Sequence, residues 1–330
     1  MSKKPITNLV FFIFKISVFA QSFAPQVGFE NTTAIHKDSL VFVDWAKEIT
    51  ITRGYQNIEN PNVGFVDFGT PEDALYQADG NPNIVSLGDG GIAILHFDEP
   101  IVNGDGPDFA VFENGFLKEP NSPLAFLELA FVEVSTDGIE YMRFPAISEI
   151  TTTTQINSFG FIDARYIHNF AGKYIANYGT PFDLEDLFGL TENTTIDLNN
   201  IHYIKIIDVI GDINSDFATY DSQNTVVNDP FPTEFASGGF DLDAVGVLHN
   251  SENNAQNNHI SVYPNPFSDQ ITIHSNRAEV MAVKLYSVNG KCLLNSKNDL
   301  TISTLNLEKG IYFLEVNTTL KTIVFKVVKI

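Results

Sequence analysis

A β-hairpin is predicted by the stretch Val283-Lys284-Leu285-Tyr286-Ser287-Val288-Asn289-Gly290-Lys291-Cys292-Leu293-Leu294. Val283 and Leu285 alternate with Lys284 and Tyr286, and this two-residue period is that of a strand. The Asn-Gly pair that follows favours a type I′ turn, because both central residues of that turn need positive φ. The stretch therefore predicts two antiparallel strands joined at its Asn-Gly pair.

The rest of the carboxyl-terminal segment, residues 259–330, continues the β pattern. Lys309-Gly310 predicts a second turn, and an apolar run from Ile311 to Val316 follows it. A third run, residues 322–328, closes the chain. Upstream, the prolines of Pro264-Asn265-Pro266 break any strand and fix an extended entry to the segment. Residues 259–330 therefore predict a small all-β module.

The order of these elements resembles the type A C-terminal sorting domain of the Bacteroidota type IX secretion system. The positions that carry the resemblance are Pro264, Asn265, Pro266, Gly290, Lys291, Gly310, Tyr312, Lys326 and Lys329. The resemblance implies a small immunoglobulin-like β-sandwich, a partnership with the type IX secretion machinery, and delivery to the extracellular space or the outer cell surface. The residues alone fit a stabilising β module equally well, so the expectation of secretion comes from the resemblance.

The amino-terminal residues predict a signal peptide at residues 1–20. Lys3 and Lys4 give a basic start, an apolar run follows, and Val18-Phe19-Ala20 places small residues where signal peptidase cuts. The alternative is an N-terminal membrane anchor, but the run contains Lys15 and is too short to cross a bilayer core of about 30 Å. No later segment is long and apolar enough to span a bilayer, so we expect no transmembrane segment in the mature protein.

We predict that export removes residues 1–20 and leaves Gln21 as the new amino terminus. The reason is that Val18 and Ala20 put small side chains at the first and third positions before the predicted cut. Amino-terminal sequencing of the secreted protein should therefore begin at Gln21. A secreted protein that still began at Met1 would contradict this prediction.

Charge divides the chain into two units of opposite sign. The 330 residues carry a formal net charge of −22. Residues 21–258 contain 8 Lys/Arg and 36 Asp/Glu, a net of −28, whereas residues 259–330 contain 8 and 5, a net of +3. The acidic unit argues against a nucleic-acid partner, whose phosphates need Lys and Arg, and against anionic membrane surfaces. It favours solubility, cation binding or cationic partners. Cys292 is the one cysteine of the sequence, so no intrachain disulfide can form.

We predict a main domain at residues 22–249, a linker at 250–258 and the sorting module at 259–330. The linker is Asn-rich, polar and without periodicity. The main domain consists mostly of short β-like runs that are bounded by Gly-containing turns, for example at 92–97 and 130–135. Many strands with few helices predict an all-β main domain, a β-sandwich of jelly-roll type.

Two short helices are predicted within the main domain. They lie at residues 71–76 and 183–188, with Asp183 as the N-cap of the second.

The main domain carries a second resemblance. Residues 132–141 look like the hairpin of galactose-binding-like, discoidin-type jelly rolls, where a strand ending in Ser-x-Asp-Gly precedes an aromatic residue. The wider pattern resembles an uncharacterised family of Bacteroidota surface proteins, through segments 86–91, 106–114, 170–173 and 229–246. This resemblance implies a fold and a surface location but no established reaction.

A calcium site is predicted by acidic residues in two segments of the main domain. The candidate ligands are Asp105, Asp108, Glu113, Asn114, Asp241 and Asp243. Calcium takes six to eight hard oxygens from carboxylates, amides and backbone carbonyls, and jelly rolls often hold such an ion where the first and last strands meet. The alternative is that each acid caps a turn or faces water, because Asp and Asn are ordinary turn residues.

Catalysis has weaker support than binding. The sequence contains no His-Glu-x-x-His motif, no Gly-x-Ser-x-Gly elbow and no Gly-rich phosphate loop, so no catalytic residue is assigned. Glu113, Glu128 and Glu133 offer carboxylates for glycoside hydrolysis, but acidic chains contain such pairs by chance.

Ligand binding is predicted at Tyr141, Arg143, Arg165 and Tyr166. The alternatives are packing for the tyrosines and ion pairs with neighbouring acids for the arginines.

The sequence favours an exported, non-catalytic binding protein for a nutrient, glycan or related ligand. The alternatives are a secreted carbohydrate-active hydrolase and an adhesin or structural surface protein. A concave cleft with convergent carboxylates would favour the hydrolase. A shallow groove lined by aromatic residues and arginine would favour the binding protein, and neither feature would favour the adhesin.

Overall fold

The computed structural model describes residues 23–80, 83–190, 194–214, 216–251, 260–275, 280–297, 299–319 and 322–330. The predicted signal peptide and most of the predicted linker, residues 252–258, lie outside the described residues. Within the described ranges the secondary structure is nearly all β, with no helix of seven or more residues. The all-β prediction is confirmed.

The main domain contains sixteen strands and four short 3-10 helices among its described residues. The strands are β1 (Ile35–His36), β2 (Asp44–Trp45), β3 (Glu48–Thr52), β4 (Val85–Ser86), β5 (Ile92–Ile101), β6 (Phe109–Glu113), β7 (Phe116–Leu117), β8 (Leu124–Phe126), β9 (Ala130–Ser135), β10 (Met142–Arg143), β11 (Ile147–Ser148), β12 (Ile162–Asp163), β13 (Ile167–His168), β14 (Tyr178–Phe182), β15 (Ile201–Asp208) and β16 (Asp241–Val247). The 3-10 helices are Pro61–Val63, Pro71–Ala74, Ala164–Tyr166 and Leu184–Leu187.

Two antiparallel sheets of the main domain face each other across one core. One sheet has the order β1-β14-β6-β16-β2, with β4 beside β16, and the other has the order β10-β9-β15-β5-β3. Alternate residues of each sheet point into the shared core, for example Val111 and Val245 from the first and Val132 and Ile204 from the second. This arrangement is a β-sandwich, because each sheet buries one apolar face against the other.

The predicted helices are present as single 3-10 turns. Each helix is preceded by a residue whose side chain forms a hydrogen bond with the first turn. Asp183 accepts a hydrogen bond from the amide of Glu185, as its predicted role of N-cap requires. Thr70 and Asp73 form a reciprocal capping box at the other turn.

The carboxyl-terminal module is a second, smaller sandwich with its own core. Its strands are β17 (Ile260–Tyr263), β18 (Gln270–Ser275), β19 (Val280–Ser287), β20 (Cys292–Ser296), β21 (Thr301–Ser303), β22 (Gly310–Thr318) and β23 (Thr322–Lys329). They form one sheet in the order β17-β18-β21 and another in the order β20-β19-β22-β23. Apolar residues of both sheets pack together between Ile260 and Val327.

The hairpin that the sequence predicts at 283–294 is present as β19 and β20, but its turn is not type I′. Gly290 has a φ of +76°, whereas Asn289 is not among the described residues with positive φ. The amide of Ser287 donates to the carbonyl of Lys291 (3.0 Å), and the register shifts just before Tyr286. The strands are therefore joined by a longer turn with a bulge, in which Gly290 alone needs the left-handed conformation.

The first residues of the predicted linker contact the main domain. Asn250 is buried and forms a β-bridge with Ile101. The hydroxyl of Ser251 donates to the carboxylate of Glu99 (2.9 Å). Across the described ranges, no helix combines the length and the apolar character that crossing a membrane requires.

Candidate ligand groove and buried carboxylate cluster

Two adjacent cavities flank the first described residues of the main domain. One has a volume of about 800 Å³ and the other about 750 Å³, and both are lined by Phe23 and Ala24. We call the two cavities together the N-terminal groove. Each volume falls in the range of about 300–1,000 Å³ that is usual for small-molecule sites.

The larger half of the N-terminal groove combines an aromatic wall with hydrogen-bonding side chains. The ring of Phe23 stacks on the imidazole of His168, with centroids 4.9 Å apart and planes 9° apart. Asp183, Asp186 and Asn169 also line this half, and the Asn169 amide donates to the Asp186 carboxylate (3.0 Å). Burial lowers the pKa of His168, an effect that the nearby Asp186 carboxylate opposes.

Lys173 is a buried cation in the wall of this half, with 4% of its surface exposed. Its ammonium donates to the carbonyls of Ala164 (2.8 Å) and Ile167 (2.5 Å). Burial lowers the pKa of Lys173 to about 7, and the charge of Asp163 opposes the shift only in part. The side chain therefore carries a reduced positive charge near neutral pH.

The smaller half of the groove contains one of the predicted ligand-binding arginines. Arg165 lines it together with Phe29. The guanidinium is held by Asp163 through Nε (3.0 Å to Oδ1) and Nη2 (2.6 Å to Oδ2), so it forms the ion pair that was its alternative role. Its neighbour Tyr166 is exposed.

The other predicted ligand residues, Tyr141 and Arg143, do not line the groove. Arg143 pairs with Glu133 (2.8 Å) and lies over the ring of Phe131, 4.3 Å from its centroid. Lys205 also pairs with Glu133 (2.5 Å) and lies 3.8 Å from the ring centroid of Tyr141. These side chains form a salt-bridged group around Glu133 of β9.

The predicted calcium ligands divide among different places. Asp108 precedes β6 and accepts amides from Gly104 (2.6 Å) and Leu184 (2.8 Å). Its Oδ1 also lies 2.9 Å from Nδ1 of His249. Glu113 ends the same strand, roughly 17 Å away at about 3.3 Å per residue.

Two further predicted ligands also lie apart from Glu113. Asp105 is exposed. Asp243 accepts the amides of Asp79 (3.3 Å) and Gly80 (3.2 Å) and so holds that loop. The six predicted ligands therefore do not share one coordination sphere.

Three of the predicted ligands, Glu113, Asn114 and Asp241, do come together. Register pairs Glu113 with Leu242, the residue after Asp241. The Asn114 amide donates to Oδ2 of Asp241 (2.9 Å), and the Ser86 hydroxyl donates to Oδ1. These contacts place a carboxylate from the end of β6 beside one from the start of β16.

Three further acids, which the calcium prediction did not include, join this site from the other sheet and its loops. The carboxylate cluster, as we define it, comprises Glu113, Glu128, Asp208, Asp229 and Asp241, each at most 5% exposed. Glu128 lies just before β9 and Asp208 ends β15, and these two strands are paired. Asp229 accepts the amide of Leu129 (2.7 Å). The cluster therefore spans the end of the sandwich between the two sheets.

Burial and mutual repulsion dominate the electrostatics of this cluster. Burial raises the pKa of Glu113, Glu128, Asp208 and Asp229 well above their ordinary values, and it raises that of Asp241 to about 6. The charge of Asp241 is the next cause for both glutamates. No salt bridge among the described residues involves any member of the cluster.

Arg53 is the cation whose charge acts on Asp241, but its donors are engaged elsewhere. Its guanidinium donates to the carbonyls of Phe68 (2.9 Å), Gly69 (2.6 Å) and Ser86. The guanidinium of Arg53 therefore stabilises the backbone that carries these carbonyls and does not neutralise the carboxylate cluster by direct contact.

A separate group of possible metal ligands lies on the solvent face of the five-stranded sheet. It consists of Glu48, His96 and Asp98. Within the described ranges, this is the trio of acidic and histidine side chains whose possible ligand atoms all lie within 4.8 Å of one another. Nδ1 of His96 is 3.0 Å from Oε2 of Glu48. Both acids of this trio are exposed.

The predicted sorting residues connect the start of the module to its last strand. Asn265 accepts the amide of Val328 (2.9 Å) and donates to the carbonyl of Lys326 (3.0 Å). The ammonium of Lys329 donates to the carbonyls of Ser268 and Thr304. The Pro-Asn-Pro element is thereby fixed against β23 at the carboxyl end.

Comparison with known proteins identifies this module. Residues 261–330 match the family model of the secretion system C-terminal sorting domain. No curated protein sequence matches the chain. Among solved structures, the chain is similar to a β-glucuronidase from Ruminococcus gnavus at 9% identity, covering 86% of this chain and 44% of that one, with a TM-score of 0.22. It is also similar to β-glucuronidase 3 of Bacteroides uniformis at 14% identity, covering 88% and 35%, with a TM-score of 0.22.

The chain spans less than half of either glucuronidase, and likenesses this weak carry no argument about activity. The sorting domain, in contrast, indicates where the protein is delivered. The protein is exported by the type IX machinery to the extracellular space or the outer cell surface. Membership of the main domain in a galactose-binding-like family stays a prediction.

Proposed function

We propose that this exported protein is a non-catalytic binding protein whose N-terminal groove holds a glycan or a related neutral nutrient. The observation that carries the proposal is the stack of Phe23 on His168 in a groove whose rim bears Asp183, Asp186 and Asn169. The groove has the aromatic residues and the arginine that favour a binding protein. Its two carboxylates already accept hydrogen bonds within the protein, Asp183 from the amide of Glu185 and Asp186 from the side chain of Asn169.

The chemistry of the groove suits a polyhydroxylated ligand. The C–H face of a sugar ring packs well on an aromatic ring such as Phe23. Carboxylates accept hydrogen bonds from ligand hydroxyls, and an amide such as that of Asn169 both donates and accepts. The net charge of −28 over residues 21–258 disfavours anionic ligands.

The carboxylates considered for glycoside hydrolysis support the binding assignment. Glu113 and Glu128 are buried, so their carboxylates are enclosed rather than presented to a sugar ring. Glu133 is occupied by Arg143 and Lys205. A hydrolase needs two carboxyl groups that flank an accessible glycosidic bond.

Glycan-array binding by the purified secreted protein tests the proposal. We expect Phe23→Ala to weaken binding of any glycan identified by about tenfold, because the variant loses the stacking surface. Asp183→Asn should also weaken it while leaving the N-cap in place, since Asn caps as well as Asp.

The matched control is Phe159→Ala, which removes an exposed phenylalanine outside the groove. This variant should bind like the wild type. Absence of binding to every neutral glycan would overturn the sugar assignment. Loss of binding in Phe159→Ala but not in Phe23→Ala would overturn the groove as the site.

A further inference from the structure

We propose that the carboxylate cluster is a calcium site in which Glu113, Glu128 and Asp241 supply carboxylate ligands and Asn114 supplies an amide oxygen. The site would lie at the end of the sandwich where β6 and β16 of one sheet meet β9 and β15 of the other. It differs from the predicted set of ligands by including Glu128 and by excluding Asp105, Asp108 and Asp243.

The first support is that one carboxylate oxygen of the cluster is buried without a hydrogen-bond donor. Glu113 is 1% exposed, and its Oε1 has no hydrogen-bond partner, whereas its Oε2 accepts the amide of Gly115 (2.7 Å). Glu128 is also buried, with 5% of its surface exposed. A buried polar atom without a partner is costly, so each such atom indicates a missing group.

The second support is that Glu113, Asn114 and Asp241 are neighbours, because β6 pairs with β16 at Glu113 and Leu242. Asp241 is the strongest neighbouring charge on both Glu113 and Glu128, and Glu113 in turn acts on Glu128. The amide nitrogen of Asn114 is bonded to Asp241 (2.9 Å), which leaves its oxygen for an ion. The unpartnered Oε1 of Glu113 therefore belongs to a group of neighbouring carboxylates.

The donor set selects the class of ion. The cluster offers oxygen atoms and neither histidine nor cysteine, so it suits a hard cation and not zinc. Calcium accepts six to eight oxygens in flexible geometry, whereas magnesium needs a nearly ideal octahedron. No three carboxylate oxygens of the cluster lie within 4.8 Å of one another, so backbone carbonyls would complete the sphere and the ion would draw the carboxylates closer.

The position of the ion gives it a structural role. Glu113 and Asp241 belong to one sheet, and Glu128 adjoins the other. An ion bound to all three would link the two sheets of the sandwich. The main domain has no cysteine, so such a link would provide the cross-connection that disulfides give to other exported domains.

Thermal unfolding of the secreted protein, with calcium chloride or a chelator, tests the inference. At a hundredfold excess over the dissociation constant, we expect calcium to raise the midpoint of the main-domain transition by roughly 5–10 °C. Equilibrium dialysis with calcium alone should give one ion per chain at this site. An unchanged melting curve in calcium and in chelator would overturn the inference.

Glu128→Gln separates ion binding from a simple packing role, because it keeps the volume and removes the charge. We expect this variant to lose the calcium shift and to melt no lower than the wild type in chelator, since Gln has the shape of the uncharged glutamic acid that burial favours when no ion is bound. Glu113→Gln should behave in the same way, and it replaces Glu128→Gln in this test if that variant does not fold.

The matched control is Glu48→Gln, which removes a carboxylate from the surface trio with His96 and Asp98. This variant should keep the full calcium shift. A shift that survives both cluster variants, or one that Glu48→Gln abolishes, would overturn the assignment. These outcomes do not depend on ligand binding in the N-terminal groove, so the two proposals fail separately.

Discussion

A chain that ends at Ser251 should fold but should not reach the cell surface. The main domain has its own hydrophobic clusters, which draw on residues between Phe42 and Leu248, whereas the core of the sorting module draws on residues between Ile260 and Val327. A domain of more than 200 residues buries enough apolar surface to be stable alone. Ser251 is the appropriate end because Asn250 is buried and bridges Ile101.

Cell fractionation in a host with a type IX system measures this effect. The truncated protein should remain in the periplasm, while the full chain appears at the outer surface or in the medium, so the expected loss of delivery is complete. The purified truncated protein should melt cooperatively. Surface delivery without the module would contradict the sorting assignment, and an insoluble truncated protein would contradict the domain boundary.

The matched experiment tests sufficiency. Residues 252–330 joined to an unrelated periplasmic protein should carry that protein to the surface. Asn265→Ala in the same fusion should impair delivery if the Pro-Asn-Pro element must be fixed against β23, because this substitution removes both hydrogen bonds from its side chain. Equal delivery by both fusions would show that this contact is dispensable.

The local sequence pattern is sufficient to predict many of the strands. The run at 130–135 predicts a strand and is β9 over the same span, while the run at 92–97 is the first part of the longer β5. Strand alternation is a property of neighbouring residues, so a single sequence reveals it. The prediction of a type I′ turn after Val288 is wrong, because an Asn-Gly pair does not by itself set the loop length.

The carboxylate cluster was only partly predictable, for a physical reason. Glu113 and Asp241 are more than a hundred positions apart in the sequence, and the pairing of β6 with β16 brings them together. Glu128 was noted as a possible catalytic acid, and nothing in its local sequence signals burial beside Asp241. Strand order in a sandwich is set by non-local contacts, so acids at strand ends cannot be grouped before the pairing is known.

The N-terminal groove was missed for a similar reason. Arg165 was predicted as a ligand residue because cations are rare in this domain, and it does line the groove. Phe23 and His168 carry no motif, and they meet only because the first described residues lie against β13 and its neighbours. The amide of Phe23 donates to the carbonyl of Arg165 (3.1 Å), which fixes this contact.

Lys173→Met should change the pH dependence of stability more than any other single substitution of a charged residue in the groove. Burial lowers the pKa of Lys173 to about 7 in the folded protein, whereas an unfolded lysine has a pKa of about 10.4. Between these values the unfolded chain binds more protons, so the stability of the wild type rises with pH. The buried ammonium costs about 5 kcal/mol below pH 7, and this cost disappears as the pH approaches 10.4.

Urea unfolding of the main-domain transition at pH 7 and pH 9 measures this effect. From pH 7 to pH 9, the wild type should gain about 2–3 kcal/mol relative to Lys173→Met, which has no proton to lose. Taking the difference between the two proteins cancels the titration of groups that do not interact with Lys173. The charge of Lys173 helps to lower the pKa of His168 below its ordinary value of 6.5, so His168 titrates below this pH range and contributes little to the difference. Methionine also leaves the carbonyls of Ala164 and Ile167 without their donor, a loss that is independent of pH.

Lys118→Met is the control, because it removes the same charge from an exposed lysine that water solvates before and after unfolding. Its stability should follow that of the wild type between the two pH values. Equal pH dependence in the wild type and Lys173→Met would show that the ammonium is solvated in the folded protein. The wall of the groove would then carry a full positive charge at neutral pH, and an anionic ligand would fit it better than a neutral sugar.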